Sequence, residues 1–552
     1  MTDDRFAAED NTAKRRRLAI IGGGSSGLIC LKQALDFLSD WDIVCFEKSD
    51  RITGCWGNPY PGFVSTSTKY TTQLSCHTLF DAGVDIDDSA NWPEFFREDQ
   101  YGQYLDQFAE RFSLRRHITL RCSVDRIQRG DQGRGWDLSL TRSREGQAET
   151  TTEHFDQVVL CTGLAAKPKQ LDCSVKTLTV GELNRPDGLG HVTKQRIVVV
   201  GGGESAVDYA NRFSNPALNN RVFLSLQSGI RVSPRYHPIR GVPSDFLRNR
   251  LMLSIHEDIR NWIGQRFVEL RIRYQETFQW MFPKSGSKQT VTTLDEDVLR
   301  RHKEWAYKLT KAAKDDLFNM FHNKSDDFLV AVAEERITII GDPTDRAFTT
   351  FLAFGHGERE VVEPDLVVPA VGYQAELQDL FAGQVTFGDF YLGCCHVVYD
   401  DLHAVGFARP IIGNIPTISE VQTRFVCGLI SGEYIRPPDI KELHQADLAC
   451  QGARYKKLDL NAMYPVEMFP YCDQLAKLMN SYPSLFAVGS LVTWCRMQLA
   501  PATTMHYFDR HRQLNDVGKS APIYMPLKLV AFLLALKPLD WSYRLLRRLW
   551  KR

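Results

Sequence analysis

The glycines that follow the first apolar run are the residues whose type and spacing most clearly suggest a chemical role. Gly22-x-Gly24-x-x-Gly27 stands between apolar residues 18–21 and a segment whose leucines recur at helical spacing. In such a turn the first glycine permits a tight bend, the second lets backbone approach a pyrophosphate, and the third lets the helix pack closely on the strand. The helix N-terminus then offers N–H groups to phosphates. Glu47 ends the next predicted strand, where a carboxylate accepts from ribose hydroxyls, so the pattern predicts a dinucleotide site.

The same pattern returns nearer the middle of the chain. Gly201-x-Gly203-x-x-Ala206 follows apolar residues 196–200, and alanine is an accepted third member of the motif. Ser205 lies at the start of the helix that should follow. Two strand–turn–helix openings in one chain predict an α/β protein with two Rossmann-like, doubly wound domains.

The strand after the second turn is not followed by the residues that usually bind the ribose or its 2′-phosphate. It ends near Ser225, and Gln227-Ser228 follows, with neither an acid for a 2′-hydroxyl nor an arginine for a 2′-phosphate. Arg231 and Arg235 come slightly later and are the candidates for a phosphate contact. We therefore expect weak discrimination between nicotinamide dinucleotides with and without that phosphate.

Composition and charge exclude several other classes of function. Lys+Arg and Asp+Glu both number 67 among 552 residues, so no net charge attracts nucleic acid. The 13 cysteines are scattered without a CxxC pair, which argues against a disulfide framework and against a dithiol–disulfide oxidoreductase. No metal-ligand spacing is recognisable, and the polar N-terminus does not resemble a signal peptide. We expect an intracellular, reducing location and no nucleic-acid partner.

Segments around both turns resemble the flavin-containing monooxygenases, which are class B flavoprotein monooxygenases. The resemblance runs over nearly the whole chain, and its most specific part is 415–424, IPTISEVQTR, similar to the family's IP.SELQAR segment. The other matching segments are Phe46-Glu47-Lys48 leading to Gly54-Cys55-Trp56, the helix at 92–112, the strands at 159–163 and 365–373, and the loop at 501–507.

The resemblance implies an enzyme that binds FAD at the first turn and NADPH, with NADH as an alternative, at the second. Dioxygen would form a C4a-hydroperoxyflavin, which would oxygenate a soft nucleophile of a small molecule, an amine nitrogen or a thioether sulfur. Two alternatives stay open. One is a Baeyer–Villiger oxygenase that acts on ketones, and the other is an oxidoreductase that binds FAD and NAD(P) without oxygenating.

The resemblance also assigns residues to the site. Thr66 falls where the family has an asparagine near flavin C4a, and Gln422 is assigned a polar contact to the flavin, so these two are the expected catalytic residues. The family's histidine-containing hallmark before the second turn is not legible at 176–190. The expected cofactor-binding residues are Gly22, Gly24, Ser26, Gly27, Glu47, Lys48, Gly54, Trp56, Val124, Thr162, Gly163, Gly201, Gly203, Ser205, Ala206, Ser225, Arg231 and Gly372.

We expect a discontinuous FAD domain into which the NAD(P) domain is inserted. The predicted segments are 1–170 for the first part of the FAD domain, 171–345 for the NAD(P) domain with a helical insertion at about 244–325, 346–510 for the second part of the FAD domain, and 511–552 for a basic, amphipathic C-terminal tail.

The tail predicts contact with a membrane surface. Its apolar stretch is too short to span a bilayer, which requires about 20 residues. Beyond that stretch, Trp541 and Leu545 separate at helical spacing from Arg544 and Arg548, as in helices that lie in the plane of a membrane. We expect residues 526–552 to attach the protein peripherally. The alternative is that the tail folds back and covers an apolar patch of the enzyme.

Overall fold

The computed structural model describes residues 15–550, apart from 58, 80–91, 132, 145–146, 166, 184–188, 283–293, 314–315, 457, 515–516 and 518–521. Parts of the predicted hallmark range, of the helical insertion and of the tail, including Lys551 and Arg552, therefore lie outside the described residues. The strands, in chain order, are β1 (Arg17–Ile21), β2 (Asp42–Phe46), β3 (Val64–Thr68), β4 (Phe95–Arg97), β5 (Ile118–Thr119), β6 (Cys122–Arg129), β7 (Trp136–Arg144), β8 (Gln147–Phe155), β9 (Gln157–Leu160), β10 (Lys167–Pro168), β11 (Arg196–Val200), β12 (Arg221–Ser225), β13 (Val232–Ser233), β14 (Asn323–Lys324), β15 (Ile337–Pro343), β16 (Thr350–Ala353), β17 (Arg359–Val361), β18 (Leu366–Pro369), β19 (Tyr373–Gln374), β20 (Phe390–Tyr391), β21 (Cys395–His396), β22 (Leu402–Ala404), β23 (Ala408–Ile412) and β24 (Tyr464–Glu467).

The helices, in chain order, are α1 (Ser25–Phe37), α2 (Lys69–Thr72), α3 (Gln100–Arg111), α4 (Val180–Leu183), α5 (Glu204–Phe213), α6 (Arg250–Leu253), α7 (Glu257–Arg273), α8 (Gln275–Met281), α9 (Glu296–Lys311), α10 (Phe328–Ala333), α11 (Leu377–Leu380), α12 (Ile415–Ser431), α13 (Ile440–Arg454), α14 (Met468–Leu478), α15 (Leu485–Val488), α16 (Leu491–Leu499), α17 (Leu527–Ala535) and α18 (Lys537–Trp550).

The first domain is built on a sheet that combines strands from the first 160 residues with the strands β20 to β22, which lie between residues 390 and 404. Its order is β20-β21-β22-β9-β1-β2-β5, and the five strands from β22 to β5 run parallel. β1 is apolar because it lies at the centre of this sheet with both faces covered, and Leu18 and Ile20 are fully buried. Since β1 and β22 belong to one sheet, the predicted discontinuous fold is confirmed.

The second sheet lies in the inserted part of the chain, and its strand order is β17-β16-β15-β12-β11-β18. β18, β11, β12 and β15 are parallel, while β16 and β17 extend the edge as an antiparallel pair. The predicted boundary at 345/346 is therefore wrong: residues 350–369 complete the second sheet, and the chain returns to the first domain only after Pro369.

Helix α12 is the central helix of the first domain and packs along α1. It begins where Asn414 accepts a hydrogen bond from the Thr417 N–H at 3.1 Å, with proline in the first turn, and it ends at Gly432 in the left-handed conformation. Nearly all of its residues are buried, and the polar ones among them, such as Glu420, Gln422 and Arg424, hydrogen-bond within the protein.

The inserted helices α6 to α9 lie between β13 and β14, and the C-terminal helices fold back onto them. Leu533 of α17 packs against Leu251, Ile255 and Ile259. The carboxylate of Asp540 accepts a hydrogen bond from the backbone N–H of His256 at 2.7 Å. The contacts predicted for a tail that covers an apolar patch are therefore present. Among the helices described, none combines the length and apolar character needed to cross a membrane.

Candidate functional site

The first glycine turn has the predicted strand–turn–helix geometry. Gly22 has φ +107°, and a Cβ there would lie 2.6 Å from the carbonyl oxygen of Cys161. A Cβ on Gly27 would overlap the carbonyl oxygen of Gly22, so helix and strand approach too closely for any side chain. Gly24 precedes α1, and a Cβ there would meet only backbone of Gly54 at 3.7 Å. The first and third glycines are thus required by close contacts within the protein, whereas the protein leaves room for a ligand at the second.

Glu47 holds the glycine turn as well as facing the nucleotide site. Its Oε2 accepts from the backbone N–H of Gly23 at 2.7 Å, and its Oε1 accepts from the N–H and hydroxyl of Ser49, both at 2.8 Å. A carboxylate has about four lone-pair positions, so it can still accept from a ribose. The sequence predicted the ribose role alone and missed the bond to Gly23.

The segment that follows β2 covers the first turn from the other side. The Thr53 N–H donates to the carbonyl of Gly23 at 3.0 Å, which sets Gly54 against Gly24. Trp56 packs edge-on against Tyr101, with ring centroids 4.8 Å apart. This packing fixes the turn that contains both Gly54 and Trp56.

The ends of β9 and β18 leave room for a ligand at the carboxyl edges of the two sheets. The hydroxyl of Thr162 is buried and has no hydrogen-bond partner among the described residues. Gly163 and Gly372 have positive φ, and a Cβ on either would meet nothing within 4 Å. An orphaned hydroxyl beside open backbone fits a bound cofactor, because buried polar groups are otherwise paired.

Three further expected cofactor residues have protein partners. The ammonium of Lys48 donates to Glu376 at 2.8 Å, and the hydroxyl of Ser26 lies 2.9 Å from that of Ser419. Val124 lies on β6 within the three-stranded sheet of β6, β7 and β8. For Lys48 and Ser26, these contacts supply a structural role that the sequence did not indicate.

The second glycine turn repeats the geometry of the first. Gly201 has φ +130°, and a Cβ there would overlap the carbonyl oxygen of Ala370. Gly203 precedes α5, and a Cβ on it would meet nothing within 4 Å, which leaves space for a pyrophosphate. Ala206 is fully buried against the sheet, and Ser205 lies beside Tyr373.

The side chains expected to contact the ribose or the 2′-phosphate of the second nucleotide contact other parts of the protein. The hydroxyl of Ser225 is buried and donates to the carbonyl of Gly341 at 2.8 Å, so its side chain holds the neighbouring strand, and the expected nucleotide contact of Ser225 stays a prediction. Arg231 is buried, with its Nε 3.1 Å from the sulfur of Met320. Arg235 donates to the carbonyls of Val64 and Ser65. Gln227 is exposed at the end of β12.

Thr66 lies on a strand that both domains hold. Arg235 of the second domain donates to the carbonyl of Ser65 at 2.9 Å, and Asp245 accepts from the N–H and hydroxyl of Thr68, both at 3.0 Å. Thr66 itself is partly buried, and no described residue hydrogen-bonds its hydroxyl. The hydroxyl is therefore a donor that remains available to a ligand.

Gln422 does not have the predicted catalytic position. It is fully buried in α12, where its Oε1 accepts from the Gly406 N–H at 3.1 Å and its Nε2 donates to the Tyr471 hydroxyl at 2.8 Å. Both ends of the amide are used within the protein. Gln422 is thus an interior amide that holds the turn at Gly406, and its assignment as a catalytic residue is corrected.

Sequence reasoning missed three polar residues, of which Asn323 and Glu204 lie at the second turn. The amide of Asn323 donates to the carbonyl of Gly202 at 2.8 Å, and Asn414 donates to the carbonyl of Thr71 at 2.8 Å. Glu204 opens α5, and burial raises its pKa. The Asn-x-Pro-Thr pattern at 414–417 was a helix-capping signal that could have identified Asn414. Asn323 had no such signal, because it depends on pairing between distant strands.

The two glycine turns thus fit two dinucleotides by independent observations: free space at Gly24 and Gly203, and the orphaned hydroxyl of Thr162. The family model described as flavin-binding monooxygenase-like matches residues 15–301, a span that contains both turns and β3.

Two curated relatives match most of the chain. It is 27% identical over 482 residues to 4-hydroxybenzoate brominase (decarboxylating) of Pseudoalteromonas luteoviolacea (strain 2ta16), with 85% of each chain covered. It is 26% identical over 506 residues to flavin-containing monooxygenase 1 of Oryctolagus cuniculus, with 86% of this chain and 85% of that one covered.

Solved structures share the fold. An oxidized steroid monooxygenase bound to NADP superposes with a TM-score of 0.57 at 14% identity, covering 84% of this chain and 97% of that one. A closed structure of cyclohexanone monooxygenase gives a TM-score of 0.55 at 16% identity, covering 86% and 98%. At such identities the likeness shows the fold alone.

Proposed function

The chain belongs to the flavin-binding monooxygenase-like family, and we propose that it transfers one oxygen atom of dioxygen to an amine nitrogen or a thioether sulfur of a small molecule. It is an FAD-dependent monooxygenase that uses NADPH. In the balanced reaction NADPH and a proton supply the reducing equivalents, one oxygen atom enters the product, and the other leaves as water.

The observation that carries this proposal is the position of β3. The strand bears the unpartnered hydroxyl of Thr66, and it is held by Arg235 and Asp245 from the second domain. A flavin at the first turn and a nicotinamide at the second require such a shared strand, because their reactive rings must meet between the domains. A donor whose backbone is held on both sides needs little reorganisation as charge develops.

The protein's own residues would bind and orient the two nucleotides and shield the reacting flavin from water. The N–H groups at the starts of α1 and α5 would hold the two pyrophosphates, and Glu47 and Thr162 would fix the first nucleotide. Bound FAD would supply hydride acceptance and oxygen activation. Thr66 would donate its single hydrogen bond where the reduced flavin meets oxygen. Exclusion of water there prevents unproductive release of peroxide.

A product panel tests this proposal. The FAD-loaded protein is incubated with NADPH and a tertiary amine, a thioether or a cyclic ketone, and the products are identified by mass spectrometry. We expect an N-oxide or a sulfoxide. An ester or lactone from the ketone alone would identify a Baeyer–Villiger oxygenase. Hydrogen peroxide equal to the NADPH consumed, with every compound unchanged, would identify a flavoprotein that does not oxygenate.

Nicotinamide selectivity gives a prediction at Gln227. We expect the wild-type preference for NADPH over NADH in kcat/KM to stay below about a thousandfold, some 4 kcal/mol. Gln227→Arg should increase it by roughly tenfold to a hundredfold, because a charge-assisted bond to the 2′-phosphate contributes on the order of 1.5–3 kcal/mol. The side chain is exposed, so the change needs no repacking. Gln227→Met, without the charge, should leave the ratio unchanged. A larger wild-type preference would contradict this account.

We also propose that the outer face of α18 rests on an anionic membrane surface. Trp541 and Leu545 are 71% and 60% exposed although the opposite side of the helix is docked on the enzyme. Arg548 lies on the same helix, where a cation suits acidic headgroups. An amphipathic helix with exposed tryptophan and leucine beside arginine is typical of helices that lie in the membrane interface.

Vesicle flotation tests the membrane proposal without removing the tail, since deletion would uncover Leu251 and Ile255. The double variant Trp541→Ser/Leu545→Ser should bind phosphatidylserine-containing vesicles at least tenfold more weakly than the wild type, because each buried apolar side chain contributes about 1.5–3 kcal/mol. Phe486→Ser, at an exposed aromatic residue outside the tail, is the matched control and should change nothing. Wild-type protein that ignores these vesicles at low salt would refute the proposal.

A further inference from the structure

Two cationic side chains lie between the glycine turn of the second domain and the strand of Thr66. Lys324 ends β14, which the Asn323 amide ties to the carbonyl of Gly202. Arg248 follows the short 3-10 turn Ser244–Leu247, in which Asp245 is bonded to Thr68 of β3. The ammonium of Lys324 lies 5.9 Å from the ring of Phe95, which pairs with Thr68 across β3 and β4, so both cations lie near β3.

Neither cation has a hydrogen-bonding partner. Among the described residues, no acceptor bonds to the guanidinium of Arg248 or to the ammonium of Lys324, whose nearest aromatic ring is that of Phe95 at 5.9 Å. Burial lowers the pKa of Lys324 to about 8 and lowers the pKa of Arg248. Shielded charges without partners are costly, and proteins retain them chiefly where a ligand completes the site.

Two buried guanidinium groups elsewhere in the protein are paired with carboxylates. Arg260 donates two hydrogen bonds to Glu467, at 2.7 and 2.6 Å, and Arg424 donates to Glu420 at 2.8 Å. Both partners are buried carboxylates. The absence of such a partner at Arg248 and Lys324 therefore distinguishes these two cations from the structural arginines.

The acids whose charges act on the pair are Asp245, Glu204 and Glu467, and none of them hydrogen-bonds to the side chain of either cation among the described residues. The Oδ2 of Asp245 accepts from the N–H and hydroxyl of Thr68 and from the hydroxyl of Thr71 at 2.9 Å. Burial raises the pKa of Glu204, which favours its neutral form. Arg235 adds a further positive charge, although Asp326 balances it. The Oδ1 of Asp245 has no hydrogen-bond partner among the described residues, so this carboxylate balances part of the charge of the pair, and a bound anion would balance the rest.

We propose that Arg248 and Lys324 bind an oxyanion, the carboxylate of the enzyme's small-molecule substrate. This rests on the proposed function and names the substrate class for that site. The planar guanidinium matches a carboxylate with two parallel hydrogen bonds, and the ammonium adds a third. The phosphate of a dinucleotide is the other source of an oxyanion here, and the experiment separates the two.

Calorimetric titration of the FAD-loaded protein with benzoate and with its neutral analogue benzamide tests the inference. Benzoate should bind wild-type protein at least tenfold more tightly than benzamide. Arg248→Gln and Lys324→Met should each weaken benzoate binding by roughly tenfold or more, whereas Arg248→Lys should lose less. The exposed-site controls Arg359→Gln and Lys441→Met should have no effect. NADP⁺ titration of the same variants should match the wild type.

The dependence on pH provides a second readout. Lys324 loses its proton as the pH rises through about 8, and a bound anion would raise that pKa, so benzoate affinity should be level from about pH 6 to 7.5 and fall at and above pH 8. Lys324→Met should abolish this decline. Asp245, Glu204, Arg235 and Arg248 also face Lys324. Lys324→Met leaves these four groups in place, so a decline that persists in this variant would belong to one of them.

Two results would overturn the inference: equal binding of benzoate and benzamide by wild-type protein, or loss of NADP⁺ affinity in the variants with benzoate binding unchanged. The second would assign the pair to a phosphate of the dinucleotide. If a variant fails to retain FAD, the wild-type comparison and the pH profile still decide. Oxygenation of an amine without selective benzoate binding would reject this inference alone. Benzoate binding without any oxygenated product would reject the proposed function.

Discussion

Gly24→Ala is expected to give a folded protein that no longer retains FAD. The new methyl group would meet Gly54 at 3.7 Å, an ordinary contact, and the backbone of Gly24 is extended, so the protein accommodates alanine. The same methyl would occupy the space through which backbone approaches a pyrophosphate. We expect FAD content below about a tenth of the wild-type value, measured from flavin absorbance, with an unchanged thermal midpoint of the FAD-free protein.

Gly203→Ala is the matched control for this prediction, because a Cβ there meets nothing within 4 Å and the protein accommodates it as well. It should keep FAD and lose NADP⁺ affinity, so the two variants should have reciprocal effects. Gly27→Ala is unsuitable, since its Cβ would overlap the Gly22 carbonyl and disturb the fold itself. Full FAD content in Gly24→Ala would mean that the flavin is bound elsewhere.

Glu467→Gln should destabilise the protein by about 3–5 kcal/mol. Glu467 is buried between Arg260, which donates to both carboxylate oxygens, and Arg454 at 3.1 Å. Loss of the negative charge leaves two guanidinium groups uncompensated in the interior, where breaking a pair costs much more than at the surface. Because Arg260 belongs to α7 and Glu467 to β24, the change should loosen the inserted helices from the first domain. The urea midpoint of unfolding measures it.

The destabilisation should also depend on pH. Burial alone raises the pKa of Glu467, but the charges and hydrogen bonds of Arg260 and Arg454 bring it below its ordinary value. The stabilisation is therefore present above the unfolded-state pKa and is lost as the pH falls through the lower folded-state pKa, so variant and wild type should converge in acid. Glu304→Gln, which breaks an exposed pair with Arg300, should cost less than about 1 kcal/mol. An equal effect of both variants would contradict this account.

Local patterns in the sequence were sufficient to predict both glycine turns. Each motif occupies consecutive residues, and Gly22 and Gly201 have the positive φ that such a turn requires. The domain boundary was misplaced because β16 and β17 are antiparallel edge strands of only four and three residues. Their membership of the second sheet depends on pairing with β15, which is a tertiary property.

Side-chain partners were the least predictable part of the site. Gln422 lies in a segment that resembles the family closely, but the direction of its amide toward Gly406 and Tyr471 depends on how α12 packs. Arg248 and Lys324 are far apart in sequence, and only the folded chain shows that they are close and unpaired. Resemblance identified the segments correctly, whereas the atoms that remain free for a ligand follow from packing.

Reaction under isotopically labelled dioxygen tests the central claim most directly. The FAD-loaded protein is mixed with NADPH and a nucleophilic amine or thioether, and the label is followed in the product while NADPH oxidation is recorded. The account predicts one labelled oxygen atom in each product molecule and one NADPH consumed for each. NADPH oxidation matched by labelled hydrogen peroxide, with no label in any amine, thioether or ketone, would contradict it.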